Sequence, residues 1–266
     1  MIITLFLQKS CCMRIVLLGT GNLATRLGIA LHAKHAEIVQ VYGRTESKVF
    51  KLANILGCTA ACSLSEITQE ADLYLITLSE NVIPGIFSGI SFGDSLVVHT
   101  SGSLPLEILS SISKNYGVFY PLQTLSSQKE IDFSTVPICI EANSSQNLTK
   151  LTEIAKLISS EVHHIDSIQR RQLHLAAVFV CNFVNHFYAI GESLLHEQDL
   201  DFNLLKPLIA ETAKKALLLS PSEVQTGPAV RDNQKIMELH RNMLEQHPEW
   251  QRLYALISKD IISTHS

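Results

Sequence analysis

The stretch MRIVLLGTGNLATRLGIAL, Met13 to Leu31, constrains the fold more than any other part of the chain. An apolar run breaks at Gly19-Thr20-Gly21-Asn22-Leu23-Ala24 and then resumes with helical spacing. This is the pattern GxGxxA placed between a strand and a helix. The first glycine permits a tight turn and the second lets a pyrophosphate approach the backbone. The small third residue lets helix and strand pack closely, and the helix N-terminus presents free N–H groups to an anion. Taken alone the pattern also fits a purely structural turn. Its setting, with a second strand following, favours a dinucleotide held by Gly19, Thr20, Gly21, Asn22 and Leu23.

The end of the second strand bears on which dinucleotide. An NAD site places a carboxylate there to accept from the ribose 2′-hydroxyl. This chain has Tyr42-Gly43-Arg44-Thr45-Glu46-Ser47-Lys48 instead. Arg44 offers a planar fork to a 2′-phosphate, and Thr45 and Ser47 add hydroxyl donors. Arg44 could instead be a solvated loop residue and Thr45 or Ser47 a helix N-cap, and capping is compatible with phosphate binding. The expected cofactor is NADP(H).

Short apolar runs alternate with helical ones through the first part of the chain. Strands are expected at Arg14–Leu18, Ile38–Tyr42, Leu73–Leu78, Leu96–His99, Gly117–Tyr120 and Val136–Glu141, and a further one between Glu161 and Asp166. Helices are expected at Leu23–Ala33, Ser47–Leu56, Leu104–Ser113 and Ser145–Ser159. The runs LYLITL and LVVHT are continuously apolar or β-branched, as in central strands covered on both faces. The alternation predicts an α/β fold, a Rossmann-type doubly wound parallel sheet. From Ser167 onward the pattern is helical: Ser167–His196, then Asn203–Leu219, Arg231–Gln246 and Pro248–Ile262. The expected domains are therefore 1–165, binding NADP, and 166–266, all α-helical.

Composition narrows the class. Of 266 residues, 46% are hydrophobic and 17% charged, enough apolar material for a large core. A formal charge of −4 with no basic cluster argues against nucleic acid as a partner. The six cysteines, Cys11, Cys12, Cys58, Cys62, Cys139 and Cys181, form no CxxC pair, as expected of reduced thiols in a cytoplasmic protein. The apolar start MIITLFLQKSCC is too short to span a bilayer and lacks a small-residue cleavage site. No membrane association is expected, and residues 1–12 read either as native or as an extension before Met13. No His, Cys or carboxylate spacing resembles a metal site, and no GxSxG announces a serine hydrolase.

In open α/β sheets ligands bind beyond the carboxyl ends of the strands. Leu78 and Ser79 should run beside a cofactor ribose. His99-Thr100-Ser101-Gly102-Ser103 either faces nicotinamide and substrate or is an ordinary loop with Ser103 as an N-cap. Tyr120-Pro121-Leu122-Gln123-Thr124 ends in uncharged donors and acceptors, suited to a substrate or to a plain turn. On the long helix, His174, Val178, Asn182 and Asn185 share one side if it is a regular α-helix. His174 is the candidate acid, since an unperturbed imidazole titrates near neutrality, although an isolated histidine on an apolar face is commonly structural. Asn182 is its candidate catalytic companion and Asn185 a substrate contact. Gln225-Thr226-Gly227-Pro228-Ala229-Val230-Arg231-Asp232 opens a helix, so Thr226 and Arg231 could hold a substrate carboxylate.

Together GTGNLA (19–24), GRT (43–45), HTSGS (99–103), YPLQT (120–124), RRQLHLAAVFVCN (170–182) and QTGPAVRD (225–232) resemble the Rossmann-like NADP oxidoreductases carrying the domain of unknown function 2520. These are related to pyrroline-5-carboxylate reductase and ketopantoate reductase. The resemblance implies a C-terminal domain of the 6-phosphogluconate dehydrogenase type and a homodimer built through its helices. It departs at Tyr120, where the family has His, and at Asp232-Asn233, where Gly-Asp follows the arginine. The expected activity is NADPH-dependent reduction of a carbonyl or imine in a small carboxylate-bearing substrate, such as a ketopantoate-like 2-oxo acid. A non-catalytic NADP-binding regulator or scaffold is the alternative.

Overall fold

The structure, a computed structural model, describes residues 13–87, 89–126 and 130–265. The readings of the apolar start, with Cys11 and Cys12, lie outside the described residues. The chain divides into two compact units, one running through Cys181 and the other from Asn182. The change from mixed to helical structure falls near residue 165, whereas the division by packing falls later, within a helix.

In the first unit the elements run β1 (Arg14–Leu18), α1 (Asn22–His32), β2 (Glu37–Tyr42), α2 (Glu46–Leu56), β3 (Thr59–Ala61), β4 (Leu73–Ile76), α3 (Ile83–Ile86), β5 (Leu96–His99), β6 (Asn115–Pro121), β7 (Ile138–Ala142), α4 (Ser145–Ile158), β8 (Val162–His164) and α5 (Ser167–Ala177). They form one eight-stranded sheet in the order β3-β2-β1-β4-β5-β6-β7-β8. Pairing is parallel from β3 across to β6. β7 runs antiparallel to β6, and β8 is parallel to β7. Period-two alternation sends Ile15 and Leu17 into the core packed by α1, α2 and α4, and Val16 and Leu18 into the opposite core with Tyr74, Ile76, Phe87 and Phe92. Both faces are covered, as the unbroken apolar runs of β4 and β5 require. Strand order reverses between β1 and β4, so the crevice for a ligand opens above their carboxyl ends.

Two expectations about elements change. The helix expected at Leu104–Ser113 is a single 3-10 turn, Leu106–Leu109. The Leu104 carbonyl accepts from Arg170, and the Pro105 carbonyl, 3.4 Å from the His99 ring nitrogen, accepts the Ile108 N–H at 3.3 Å, a 3-10 bond that no α-helical ladder continues. The β3 strand was not anticipated, because Thr59-Ala60-Ala61 is a three-residue edge with no apolar run.

The helical unit continues the run through α6 (Val184–His196), α7 (Lys206–Leu218), α8 (Gln234–Met243) and α9 (Pro248–His265). Between α5 and α6, Val178–Phe183 is a π-helical stretch. The common face expected for His174, Val178, Asn182 and Asn185 assumed 3.6 residues per turn, which a π turn does not keep. Ser167–His196 is long enough to cross a membrane, and an 18-residue window within it has mean hydropathy 1.5. The second turn of this helix holds an ion-paired arginine that is 1% exposed, so the start of the helix packs against protein. The second unit buries Ala229, Met237 and Leu244, and encloses an apolar cavity of about 370 Å³ lined by residues such as Phe187, Leu194, Trp250 and Ile257.

Candidate functional site

At the mouth of β1 the backbone is arranged for a phosphate. Gly19 has φ +139°, and a Cβ there would run into Thr77, so no side chain fits. Its N–H donates to the Tyr42 carbonyl at 2.8 Å, which pins the turn to β2. Gly21 takes the N-cap position of α1 without a capping side chain, and the first turn carries no acid. The orphan amides of that turn therefore meet no competing carboxylate. Thr20 is half-buried against Gly43, Gly21 and Asn22 are exposed, and Leu23 packs on the core. The Asn22 carboxamide donates to the Leu125 carbonyl at 3.1 Å, bringing the segment after β6 against the glycine turn.

The end of β2 matches this. Arg44, Thr45 and Ser47 are exposed. Thr45 is the N-cap residue of α2 by position, yet its hydroxyl makes no capping bond. That hydroxyl, with the Arg44 guanidinium, is available to a phosphate. The donor set fits NADP(H), which supplies a hydride when bound.

The carboxyl ends of β4, β5 and β6 are built differently. His99 is fully buried, accepting from the Ser101 N–H at 3.1 Å, with its other nitrogen 3.4 Å from the Pro105 carbonyl. Burial, reinforced by Arg170, pushes its pKa down to about 4, so the ring is neutral. The Thr100 hydroxyl donates to the Ile76 carbonyl at 3.1 Å. The Ser101 hydroxyl donates to the Glu80 carboxylate and accepts the N–H groups of Ser103 and Leu104 at 3.0 and 2.9 Å. The side chains of His99, Thr100 and Ser101, expected to touch the cofactor, are thus engaged within the protein. They shape the loop instead. Ser101 rather than Ser103 supplies the turn's capping oxygen. Leu78 is half-buried and Ser79 exposed beside them, and Gln123 is exposed, accepting from the Thr124 N–H at 2.9 Å.

α5 delivers His174 to this loop. An Asp166–Gln169 capping box starts the helix, and one turn in, Arg170 ion-pairs with Glu141 of β7. Ser167 reinforces the pair by donating to Glu141 from its hydroxyl and its backbone, at 2.8 and 3.0 Å. Arg170 Nε is buried without a partner, which makes the Glu141 pairing the more necessary. Four residues on, His174 lies with Nδ1 3.1 Å from the Tyr120 hydroxyl. A Cβ on Gly102 would stand 2.7 Å from the His174 ring, so the glycine makes room for the imidazole. Burial pushes the Tyr120 pKa up to about 12. Burial also works to raise the Glu80 carboxyl, but hydrogen bonds from Ser101 and Ser103 and the charge of His174 carry it below its ordinary value. Glu80 is an anion facing an imidazole.

The structure therefore joins Ser101, Ser103 and His174 and adds four residues not assigned to the site from sequence: Glu80, Tyr120 and the paired Arg170 and Glu141. Glu80 could have been suspected as the one acid in the loop after LYLITL. In the second unit Asn182, Asn185, Thr226 and Arg231 are exposed. Asp232 has φ +45°, a left-handed conformation that favours glycine, the residue the family resemblance implies after the arginine.

Residues 136–261 match the model of the domain of unknown function 2520, and residues 14–102 match that described as NADP oxidoreductase coenzyme F420-dependent. The crystal structure of a candidate NADP oxidoreductase from Bacteroides fragilis is 42% identical, with TM-score 0.86, covering 94% of this chain and 98% of its own. A protein of Thermotoga maritima is 21% identical with TM-score 0.78, covering 94% of this chain and 99% of that one. The 1-pyrroline-5-carboxylate reductase of Streptococcus pyogenes shares the fold at 13% identity and TM-score 0.61, over 94% and 98% of the two chains. A search of curated proteins returned no match.

Proposed function

Because the chain belongs to the family of NADP oxidoreductases that carry the domain of unknown function 2520, we propose that it reduces the C=N or C=O bond of a small, carboxylate-bearing metabolite. A cyclic imino acid and a ketopantoate-like 2-oxo acid both meet that description. The observation that carries the reading is the His174–Tyr120 contact at 3.1 Å, set beside the serine loop in the unit whose glycine turn is uncapped. Gly19 through Leu23 hold the diphosphate, and Arg44, Thr45 and Ser47 the 2′-phosphate. Leu78 and Ser79 lie along the ribose. His174 hands a proton to the substrate heteroatom, with Ser103 and Gln123 as substrate contacts. From the helical unit, Asn182, Asn185, Thr226 and Arg231 are assigned to the substrate, Arg231 to its carboxylate. Tyr120 stands in for the family's histidine and orients His174.

A second copy is the proposed cover for the apolar side chains that the helical unit leaves exposed, among them Leu204, Leu208, Leu217, Leu218, Met243 and Leu256. Sedimentation of the purified protein as a homodimer supports this, and a monomer at micromolar concentration opposes it. A cytoplasmic setting suits the reduced thiols.

The test is NADPH oxidation against a panel of cyclic imines and 2-oxo acids. His174→Ala should lower kcat by about 100-fold, within the usual range for a general acid, and leave NADPH affinity nearly unchanged. Unaltered turnover would remove His174 from the mechanism. NADPH binding with no substrate in the panel reduced would favour the regulator.

A further inference from the structure

Reducing a carbonyl builds negative charge on oxygen, and sites for that chemistry aim unengaged N–H donors at it. In the loop at Ser101–Leu104 three of the four amides are already engaged, and the Gly102 N–H alone makes no hydrogen bond among the described residues. Its Ser101 N–H goes to His99, and the N–H groups of Ser103 and Leu104 go to the Ser101 hydroxyl oxygen. What the loop holds in place is the Glu80 carboxylate, ionised and opposite His174. A developing alkoxide here would meet a like charge. A cation would meet its counter-ion.

We infer that the group reduced is a protonated imine, an iminium, and that Glu80 is the anion selecting it over the carbonyl of a 2-oxo acid. This substrate class presupposes the NADPH-dependent reduction proposed above and narrows it. The proton balance follows from the residues present. Nδ1 of His174 is turned to the Tyr120 hydroxyl, and Nε2 has no hydrogen-bond partner among the described residues. Protonated His174 gives its Nε2 proton to the lone pair of the imine nitrogen, forming the iminium and a neutral imidazole. The positive charge passes from histidine to substrate within the field of Glu80, so the site keeps its net charge. Hydride from NADPH then bonds to the iminium carbon, and the C=N π pair becomes the lone pair of a neutral amine. NADPH is oxidised to NADP⁺. No acid acts in the hydride step, which suits a site whose tyrosine is a weak acid, with a pKa of about 12. The other charged groups nearby leave the balance unchanged: His99 is neutral, and Arg170 is paired with Glu141.

The full chain is tested with NADPH against 1-pyrroline-2-carboxylate and 2-oxopentanoate, which carry the same carboxylate beside an imine or a carbonyl. Separately, pyrrolidine, a stable cation of the product's shape, is titrated calorimetrically into the protein–NADP⁺ complex. The imine should be preferred in kcat/KM by about 100-fold or more, and Glu80→Gln should weaken both imine reduction and pyrrolidine binding by about tenfold or more, the scale of one lost charge contact. Glu80 is half-buried and accepts from the Ser101 hydroxyl, so the isosteric amide should lower Tm while leaving a cooperative unfolding transition and a native circular-dichroism spectrum. Its NADPH affinity should stay within about twofold, below the tenfold that one charge contact is worth. Preference for the 2-oxo acid, or pyrrolidine binding indifferent to Glu80→Gln, would overturn the inference while leaving the reductase intact. Failure of the wild-type protein to bind NADPH would overturn the reductase reading itself.

Discussion

The two sides of the sheet's carboxyl edge in the first unit treat their hydrogen-bonding groups in opposite ways. Above β1 and β2 the Gly19 amide and the Asn22 carboxamide are engaged, but other donors are left open: α1 has no capping side chain, Thr45 sits at an N-cap without making the bond, and Arg44 is exposed. Above β5 and β6 nearly every polar group is already engaged, His99 with Ser101, Ser101 with Glu80, Arg170 with Glu141, and Tyr120 with His174. Donors left open await a ligand rich in acceptors. Donors closed on one another fix a few groups in place before a substrate arrives. Substitutions on the first side should therefore change cofactor affinity with little loss of stability, and substitutions on the second should cost stability.

The strongest challenge to that contrast is Arg170→Met. It leaves Glu141 without its buried counter-charge, a loss of about 3–5 kcal/mol by analogy with other broken buried pairs. Urea unfolding should show the drop. A change below about 1 kcal/mol, the level of an exposed pair, would mean that the network is not under tension from burial.

Next in size is the response to acid. His99 has a pKa near 4 when folded, against about 6.5 when unfolded, so the unfolded chain binds the extra proton between those values. Its contribution is complete above about pH 6.5 and declines as the pH falls towards 4, by about 3 kcal/mol in all. Denaturation at pH 7 and pH 4.5 should show a smaller pH-dependent loss in His99→Gln than in the wild type. Equal losses in the two proteins would contradict a buried neutral ring.

The smallest effect is expected at Thr45. Removing an N-cap side chain usually costs about 0.5–2 kcal/mol. Here the hydroxyl caps nothing, so Thr45→Ala should change stability by less than about 0.5 kcal/mol while weakening NADPH several-fold. A full capping penalty with unaltered NADPH affinity would reverse the assignment.

The phosphate side was legible because its chemistry is local in sequence: GxGxxA follows an apolar strand, and Arg44 stands two residues beyond Tyr42. The strands β1 and β5 were readable to the residue, since buried parallel strands are continuous apolar runs. Long-range pairing was not readable. Nothing near Glu141 in sequence announces Arg170, and Glu80 and Ser101 meet only because β4 and β5 lie side by side. The 3-10 turn at Leu106–Leu109 escaped for the same reason, since Arg170 and His99 reach the carbonyls of Leu104 and Pro105 just before it from distant positions. Asp232 is the reverse case, since its left-handed φ of +45° is a conformation glycine adopts most easily and nothing in the sequence announced that an aspartate takes it.

The central claim is that unengaged donors around the glycine turn and Arg44 recognise a dinucleotide with a 2′-phosphate. Calorimetric titration of NADPH and NADH into the wild-type protein and Arg44→Ala tests it most directly. Loss of the bidentate guanidinium contact should weaken NADPH by about 10- to 100-fold, the scale of a charge-assisted hydrogen bond, and leave NADH within about twofold. Equal losses for both dinucleotides, or no loss for either, would contradict it.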